Sequence, residues 1–329
     1  MENNKTTTQT LVAELARRAE TAILPLIDRD YVLYALPYYT NIGDTLIWEG
    51  ELELLKKSRH KCVGVCGWND YPAKPVAEDV LILITGGGFF GDLWRNAWQG
   101  VLDGIKGNVN NKIIFLPQSV YYQDQELLQR DVQYLSQFKH LTICTRDTQS
   151  FDYVKRHFPS HTSLLVPDMA FCISPVYLQQ WVQPSSEKTL LLKRQDKELV
   201  DDNIVIPETN VDVHDWPTME SVTRSELWFY RIERRVTSLR YRVPFLRPLM
   251  RRTKDWMYRR FYRRMMTKRG VAFVSSYRNV YTTRLHVMVL AVLLDKEVHI
   301  IDNSYGKISA LYHTWLEDCE KVSIFQPHN

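Results

Sequence analysis

Short, continuously apolar runs alternate with helical patterns through the first half of this chain. That alternation restricts the fold more than any other feature of the sequence. The runs are DYVLYALPY (Asp30–Tyr38), KCVGVCG (Lys61–Gly67), DVLILIT (Asp79–Thr85), KIIFLPQS (Lys112–Ser119), HLTICTRD (His140–Asp147) and SLLVPDMAF (Ser163–Phe171). A strand with one wet face alternates apolar and polar residues, whereas a strand that is apolar throughout belongs to a parallel sheet covered on both faces. A helix capped by Asp44 and running to Lys57, and another from Thr148 to about His157, fit between the runs; residues 10–27 read as a leading helix. Residues 1–180 are therefore expected to form a doubly wound, Rossmann-like α/β domain.

The pattern restarts at KTLLLKRQDKE (Lys188–Glu198), after a Pro/Ser/Gln-rich boundary at Ser174–Lys188. Strands are expected in VAFVSSYR and KEVHIID, and helices in TTRLHVMVLAVLLD and YGKISALYHTWLE. This gives a second, smaller Rossmann-like domain over 181–329. Open parallel sheets bind ligands beyond the carboxyl ends of their strands, so two such domains facing one another would enclose a cleft.

The longest apolar run, Val287–Leu294, is far short of the ~20 residues of a membrane span. The N-terminus is polar and lacks a secretory core. Five cysteines are scattered without a C-x-x-C pair. A cytoplasmic protein with neither a disulfide framework nor structural zinc is expected.

Gly86-x-Gly88-x-x-Gly91 follows the third strand and matches the dinucleotide fingerprint letter by letter. That fingerprint belongs after the first strand, with an acid ~20 residues on at the end of the next strand. Here the next strand ends in Gln118 and Ser119, so a nicotinamide cofactor is not expected. Either the glycines make only a tight strand-to-helix turn, or the backbone N–H groups of Gly86, Gly87 and Gly88 lie open to an anion.

YTTRLHVMVL carries the sharpest chemistry. Thr282 or Thr283 can cap a helix whose first turn holds Arg284 and His286. Unpaired N–H groups there favour an anion, arginine adds a planar fork, and histidine exchanges a proton near neutral pH. Arg146 and Arg194 also sit at strand ends, with Asp147 and Asp196 as available mates; Asn41, Gly43 and Asp44 follow the first strand. The plain alternatives are a capped helix, surface ion pairs and an ordinary turn.

Taken in order, NIGD, ILITGGGFFGD, IIFLPQS, CTRD, VPDMAF, LLKRQDKE, TTRLHVMVLAVLL and DNSYGK resemble the polysaccharide pyruvyl transferase family, over about Tyr31 to Leu316. The resemblance implies a GT-B-like pair of domains. It also implies transfer of pyruvate from phosphoenolpyruvate to two hydroxyls of a sugar as a cyclic ketal, with release of phosphate. The chain departs from the family at Val287, where a glycine is usual after R-L-H. Under this reading His286 is the general acid/base, and Arg284 and Arg194 hold phosphate and carboxylate, with help from Arg146. Asp44 polarises a sugar hydroxyl. Gly86, Gly87, Gly88, Asn41, Gln118 and Thr283 complete the substrate site. No metal or cofactor is implied beyond the phosphoenolpyruvate donor. A nucleotide-sugar glycosyltransferase of similar architecture, or a non-catalytic basic scaffold binding glycan or nucleic acid, are the alternatives.

Net charge is +4, but residues 221–270 carry 16 Arg and Lys against three acids, so this stretch is +13 and the remainder −9. The arginines interleave with Trp, Phe, Tyr, Leu and Met, which suits an interfacial helix or hairpin on an anionic membrane better than a nucleic-acid surface; a solvated charged face is the plain alternative. Pro244 and Pro248 interrupt it. A lipid-linked sugar acceptor at the inner face of the membrane fits this placement.

Overall fold

A computed structural model describes residues 7–72, 74–194, 204–302 and 306–326. After a leading helix, α1 (Thr8–Ile23), the chain builds two parallel sheets. The first contains β1 (Tyr31–Leu36), β2 (Cys62–Gly67), β3 (Leu81–Ile84), β4 (Gly87–Gly91), β5 (Ile113–Tyr121), β6 (Leu141–Thr145) and β7 (Thr162–Leu165). Its order is β2-β1-β3-β5-β6-β7, with β4 paired to the far end of β5. Helices α2 (Ile42–Leu55), α3 (Arg95–Ile105), α4 (Gln125–Leu135) and α5 (Thr148–His157) make crossovers, and a short α6 (Pro175–Gln179) leads out. Every residue of β3 is buried, as its unbroken apolar sequence requires.

The second sheet contains β8 (Thr189–Leu192), β9 (Val211–His214), β10 (Asn279–Thr282), β11 (Val298–Ile300) and β12 (Val322–Ile324), in the order β12-β11-β10-β8-β9. Between β9 and β10 lie α7 (Pro217–Glu220), α8 (Arg224–Arg242), α9 (Arg247–Met257) and α10 (Arg263–Ser275); α11 (Leu285–Leu293) and α12 (Lys307–Trp315) follow. Each sheet has a switch point. The chain leaves β1 for β2 and returns on the other side for β3; it leaves β8 for β9 and returns for β10. Crevices open at the carboxyl ends of such strand pairs.

Three local expectations are corrected. VAFVS is the end of α10 and not a strand, and β10 begins only at Asn279. Val271 and Val274 are both buried at helical spacing, and a four-residue apolar run does not by itself distinguish the two forms. Asn41, not Asp44, caps α2: its Oδ1 accepts the Asp44 N–H at 3.3 Å. The glycine segment is no strand-to-helix turn, because Gly87–Gly91 forms β4 and α3 starts only at Arg95.

Helices α1 and α2 each serve two apolar cores. Val12, Leu15, Ile42 and Leu46 pack with α11, whereas Ala19, Ile23, Ile47 and Trp48 pack under the first sheet. The basic segment is likewise built into the fold. A capping box of Thr223 and Glu226 starts α8, and a tight turn at Pro244–Leu246 separates it from α9. Phe229, Val236, Met257, Tyr258, Tyr262 and Met266 join the core beneath the first sheet, with Tyr258 stacked on Tyr38 at 4.2 Å. A π-helical turn, Tyr258–Tyr262, links α9 to α10.

Candidate active site

A cavity of about 580 Å³ collects residues that follow β1, β3, β6, β8 and β10. Four of these are the switch-point strands. Of the residues expected from sequence, Asn41, Asp44, Gly88, Arg146, Arg194, Arg284 and His286 line it, whereas Gly86, Gly87, Gln118 and Thr283 do not.

Arg146 follows β6 and is completely buried. Its Nε donates to Ser119 Oγ at 2.9 Å and its Nη1 to Asp168 Oδ2 at 2.7 Å. Its Nη2 has no hydrogen-bond partner among the described residues. A buried guanidinium N–H without an acceptor is costly, and an anionic ligand supplies one. The expected mate, Asp147, instead caps α5 and accepts from Ser119 Oγ at 2.8 Å. Asp168, absent from the sequence-based set, organises the centre. Its Oδ2 is also 3.4 Å from His286 Nε2, and its Oδ1 takes the Ala170 N–H at 2.9 Å. Burial alone would raise this carboxyl, but His286 and Arg146 beside it hold it well below the usual carboxylate range.

His286 lies in the first turn of α11, with Nε2 also 3.4 Å from Arg146 Nη1. Its ring packs against Gly43: a Cβ there would stand 2.8 Å from Nδ1. The neighbouring Asp44 is held at Oδ2 by Asn41 Nδ2 at 2.7 Å and by the Tyr39 hydroxyl at 2.9 Å.

Arg284 is the N-cap residue of α11, and its backbone N–H goes to Thr282 Oγ1 at 2.9 Å. It lines the cavity while its Nε and Nη2 grip both oxygens of Asp215, a bidentate pair invisible in the sequence. Thr283 acts behind the lining: its hydroxyl accepts the Arg194 N–H at 2.9 Å and so ties the end of β8 to the start of α11. Asp196, the sequence-based mate of Arg194, lies outside the described residues.

The glycines divide by position. The Gly86 N–H is not open to a ligand, because it donates to the buried Glu51 Oε1 at 2.6 Å, and Thr85 Oγ1 bonds the same carboxyl. Burial pushes Glu51 up to about 8. Gln118 Nε2 donates to the Thr85 carbonyl at 2.7 Å, so this residue supports the segment from beneath. Gly88 alone of the three faces the cavity. A Cβ on it would meet Lys307 Nζ at 2.4 Å and Arg146 Nη2 at 3.2 Å. Lys307, the first residue of α12, is thus a cation of the site that sequence reading missed, although DNSYGK contains it.

Trp68, Phe89, Trp94 and Trp216 form aromatic parts of the lining. The wall carrying Arg95 and Asn96 is anchored by Asp131, which accepts from Trp98 Nε1 at 2.7 Å, the Tyr122 hydroxyl at 2.7 Å and Arg95 Nη1 at 2.5 Å.

Comparison with known proteins bears on the fold and on the family of the chain. A crystal structure of a functionally uncharacterized protein from Klebsiella pneumoniae superposes with a TM-score of 0.63 at 19% identity, covering 95% of this chain and 98% of that one. That likeness concerns the fold alone. A Bacillus subtilis (strain 168) protein named as a candidate pyruvyl transferase, EpsO, is 31% identical over 302 residues, covering 90% of this chain and 88% of the relative. Pyruvyl transferase 1 of Schizosaccharomyces pombe is 26% identical over 307 residues, covering 87% and 70%. The family pattern described as polysaccharide pyruvyl transferase matches residues 41–305, and the chain belongs to that family.

Proposed function

We propose that the protein is a ketal pyruvyltransferase that moves pyruvate from phosphoenolpyruvate to two hydroxyls of a sugar in a lipid-linked polysaccharide precursor. The reading is of two GT-B-like lobes, 1–180 and 181–329, with the reaction between them. It places a cytoplasmic enzyme at the inner face of the membrane, with the basic stretch at 221–270 toward the anionic surface. The observation that carries the reading is the wholly buried Arg146, whose Nη2, beside Gly88, Lys307 and His286, has no partner among the described residues. Phosphoenolpyruvate bears a phosphate and a carboxylate, close to three negative charges at neutral pH. Arg146, Arg194 and Lys307 supply the opposing charge, and Arg284, already engaged by Asp215, completes the cationic wall.

His286 stands between this cationic pole and the Gly43–Asp44 turn. As the imidazolium it gives a proton to the methylene carbon of the donor, and positive charge develops at C2. Asp44 takes the proton of the first sugar hydroxyl as its oxygen bonds C2. The C2–O bond to phosphate then breaks, and the proton held by Asp44 leaves with the phosphate. The second hydroxyl closes the ring and returns its proton to His286. One donor and one diol thus give one ketal and one inorganic phosphate. Proton transfers of this kind are each worth about 10²–10⁴-fold. Asp168 orients the imidazole through Nε2, and the aromatic walls offer stacking faces for the sugar.

The test has two parts. Phosphoenolpyruvate should raise the melting temperature, as any ligand preferring the native state does. Stabilisation by a UDP-sugar instead would favour the glycosyltransferase reading. With a lipid-linked oligosaccharide extract, phosphate release should accompany a new ketal methyl signal in the NMR spectrum. Unchanged phosphate release by His286→Ala and Arg146→Ala removes the assignment.

A further inference from the structure

A second, larger cavity of about 1270 Å³ lies away from this site, between the β2 edge of the first sheet and α9. Its floor is apolar, from Val63 and Val65 of β2 and Leu52 of α2, the last two packed against the core that holds the buried Leu33 of β1. Its rim is cationic. Arg240 and Arg251 anchor the hairpin to Asp70, and Arg263 pairs with Glu49. Arg247, Arg252, Arg259 and Arg260 are exposed and have no ion pair among the described residues. Two of these four, Arg259 and Arg260, belong to the π-helical turn, a local rewinding often found at functional positions. Asp255 is the one acid of the lining among the described residues.

The surface around the groove shows the same pairing of charge with apolar bulk. Phe245 at the hairpin turn is 81% exposed and Trp256 of α9 is 57% exposed; Tyr241 and Leu249 are also exposed. Four exposed apolar side chains within one short hairpin, set among these arginines, suit an interfacial surface. No helix among the described residues is long and apolar enough to cross a membrane, so such a surface lies on a bilayer and not through it. A nucleic acid or a soluble sugar phosphate would satisfy the arginines but leave the exposed Val63 and the half-buried Leu52 and Val65 uncovered. A phosphate joined to a hydrocarbon chain matches both.

We propose that the α8–α9 hairpin rests on an anionic bilayer and that the groove beneath α9 holds one lipid phosphate, with its chain against β2 and α2. This rests on the peripheral placement proposed above and adds to it a specific lipid site.

Flotation of the full chain with phosphatidylcholine vesicles, with and without about one third phosphatidylglycerol, tests the placement. Binding is expected to the anionic vesicles alone and should weaken with salt. Arg247→Gln and Arg252→Gln should each lower partition roughly fivefold, the worth of one basic residue near such a surface. Phe245→Ala and Trp256→Ala should weaken it as well. Native mass spectrometry with a short-chain phosphatidylglycerol, below its micelle concentration, tests the groove. One lipid should be retained, its phosphatidylcholine counterpart should not, and Val63→Trp should abolish retention with an unchanged melting temperature. Val63 lines the groove at 56% exposure, so filling it does not threaten the core. Equal flotation with neutral and anionic vesicles overturns the placement. Retention of glycerol 3-phosphate as tight as that of the lipid, or unchanged lipid retention by Val63→Trp, overturns the groove. Tight binding of single-stranded DNA in place of vesicles overturns both. Neither experiment uses phosphoenolpyruvate, so failure of the donor assignment is read separately.

Discussion

Arg146 Nη1 donates to Asp168 Oδ2 at 2.7 Å, with both side chains almost fully buried, while Arg146 Nη2 has no partner among the described residues. On the proposed reading one fork serves both the fold and a ligand, and substitutions should separate the two roles. Arg146→Lys keeps the charge opposite Asp168 but loses the second N–H. We expect stability to stay near that of the wild type while kcat/KM for phosphoenolpyruvate falls about 10²-fold. Arg146→Met leaves a buried carboxylate uncompensated and should cost about 3–5 kcal/mol in urea unfolding. Full activity in Arg146→Lys would show that Nη2 meets no donor oxygen.

Gly43 gives the imidazole its place. A Cβ there would lie 2.8 Å from His286 Nδ1 and 3.1 Å from its Cβ and Cγ, so Gly43→Ala forces the ring to shift relative to Asp168 and Arg146. Alanine is the better helix former at this position in the first turn of α2, so stability should hold within about 1 kcal/mol. The rate should fall about 10²-fold, as misplacement of a reacting group by an ångström can do. Steady-state kinetics and a melting curve on the same preparation decide it. A normal kcat removes His286 from the proton-transfer role.

Gly88→Ala probes the cationic pole. The added methyl meets the far end of Lys307, which can swing aside at little cost to stability. It would nevertheless occupy space beside Arg146 Nη2. KM for phosphoenolpyruvate should rise about tenfold or more, with the melting temperature unchanged. An unaltered KM would place the donor elsewhere in the cavity.

The sheet-forming runs were legible because burial on both faces leaves a continuous apolar signature, and the strand ends then located Arg146, Arg194, Arg284 and His286. The partners of those residues were not legible. Asp168 and Asp215 reach their arginines across 22 and 69 positions, and no periodicity encodes such a meeting. VPDMAF and DNSYGK entered the family resemblance, yet nothing local marked Asp168 or Lys307 as facing Arg146 and Gly88. The apolar stretch VAFV fitted strand and helix alike until packing against α11 decided it. The basic segment concealed its integration, since tyrosine is buried at Tyr258 and exposed at Tyr241, and only packing distinguishes them.

Glu51 should make stability depend on pH. Burial raises its carboxyl from 4.5 to about 8, so between these values the native state holds a proton that the unfolded chain has released. Its contribution is present below the unfolded value and is lost as pH rises toward 8, amounting to a few kcal/mol at most, or roughly one per pH unit. Asp255, raised to about 6 by burial, acts in the same direction over a narrower window. Glu51→Gln isolates the first effect. Urea midpoints measured from about pH 5 to pH 8 should decline more steeply in the wild type than in the variant. Parallel profiles would mean that the Gly86 N–H and Thr85 hydroxyl suffice to keep Glu51 ionised.

The basic hairpin should behave as part of the first sheet's core and not as a detachable insertion. Tyr258 stacks on Tyr38 at 4.2 Å and meets Phe229 edge-on at 5.2 Å. Tyr258→Ala removes a buried aromatic ring and should cost about 3–5 kcal/mol of global stability, by the transfer and cavity terms together. Phe245→Ala, at the exposed hairpin turn, should stay within about 0.5 kcal/mol. Urea unfolding followed by far-UV circular dichroism, together with limited proteolysis, distinguishes two outcomes. If Tyr258→Ala only exposes residues 224–257 to protease while the remaining fold melts as before, the hairpin folds apart from the sheet. If the whole transition moves, the segment that carries the excess positive charge is also a wall of the first sheet's core.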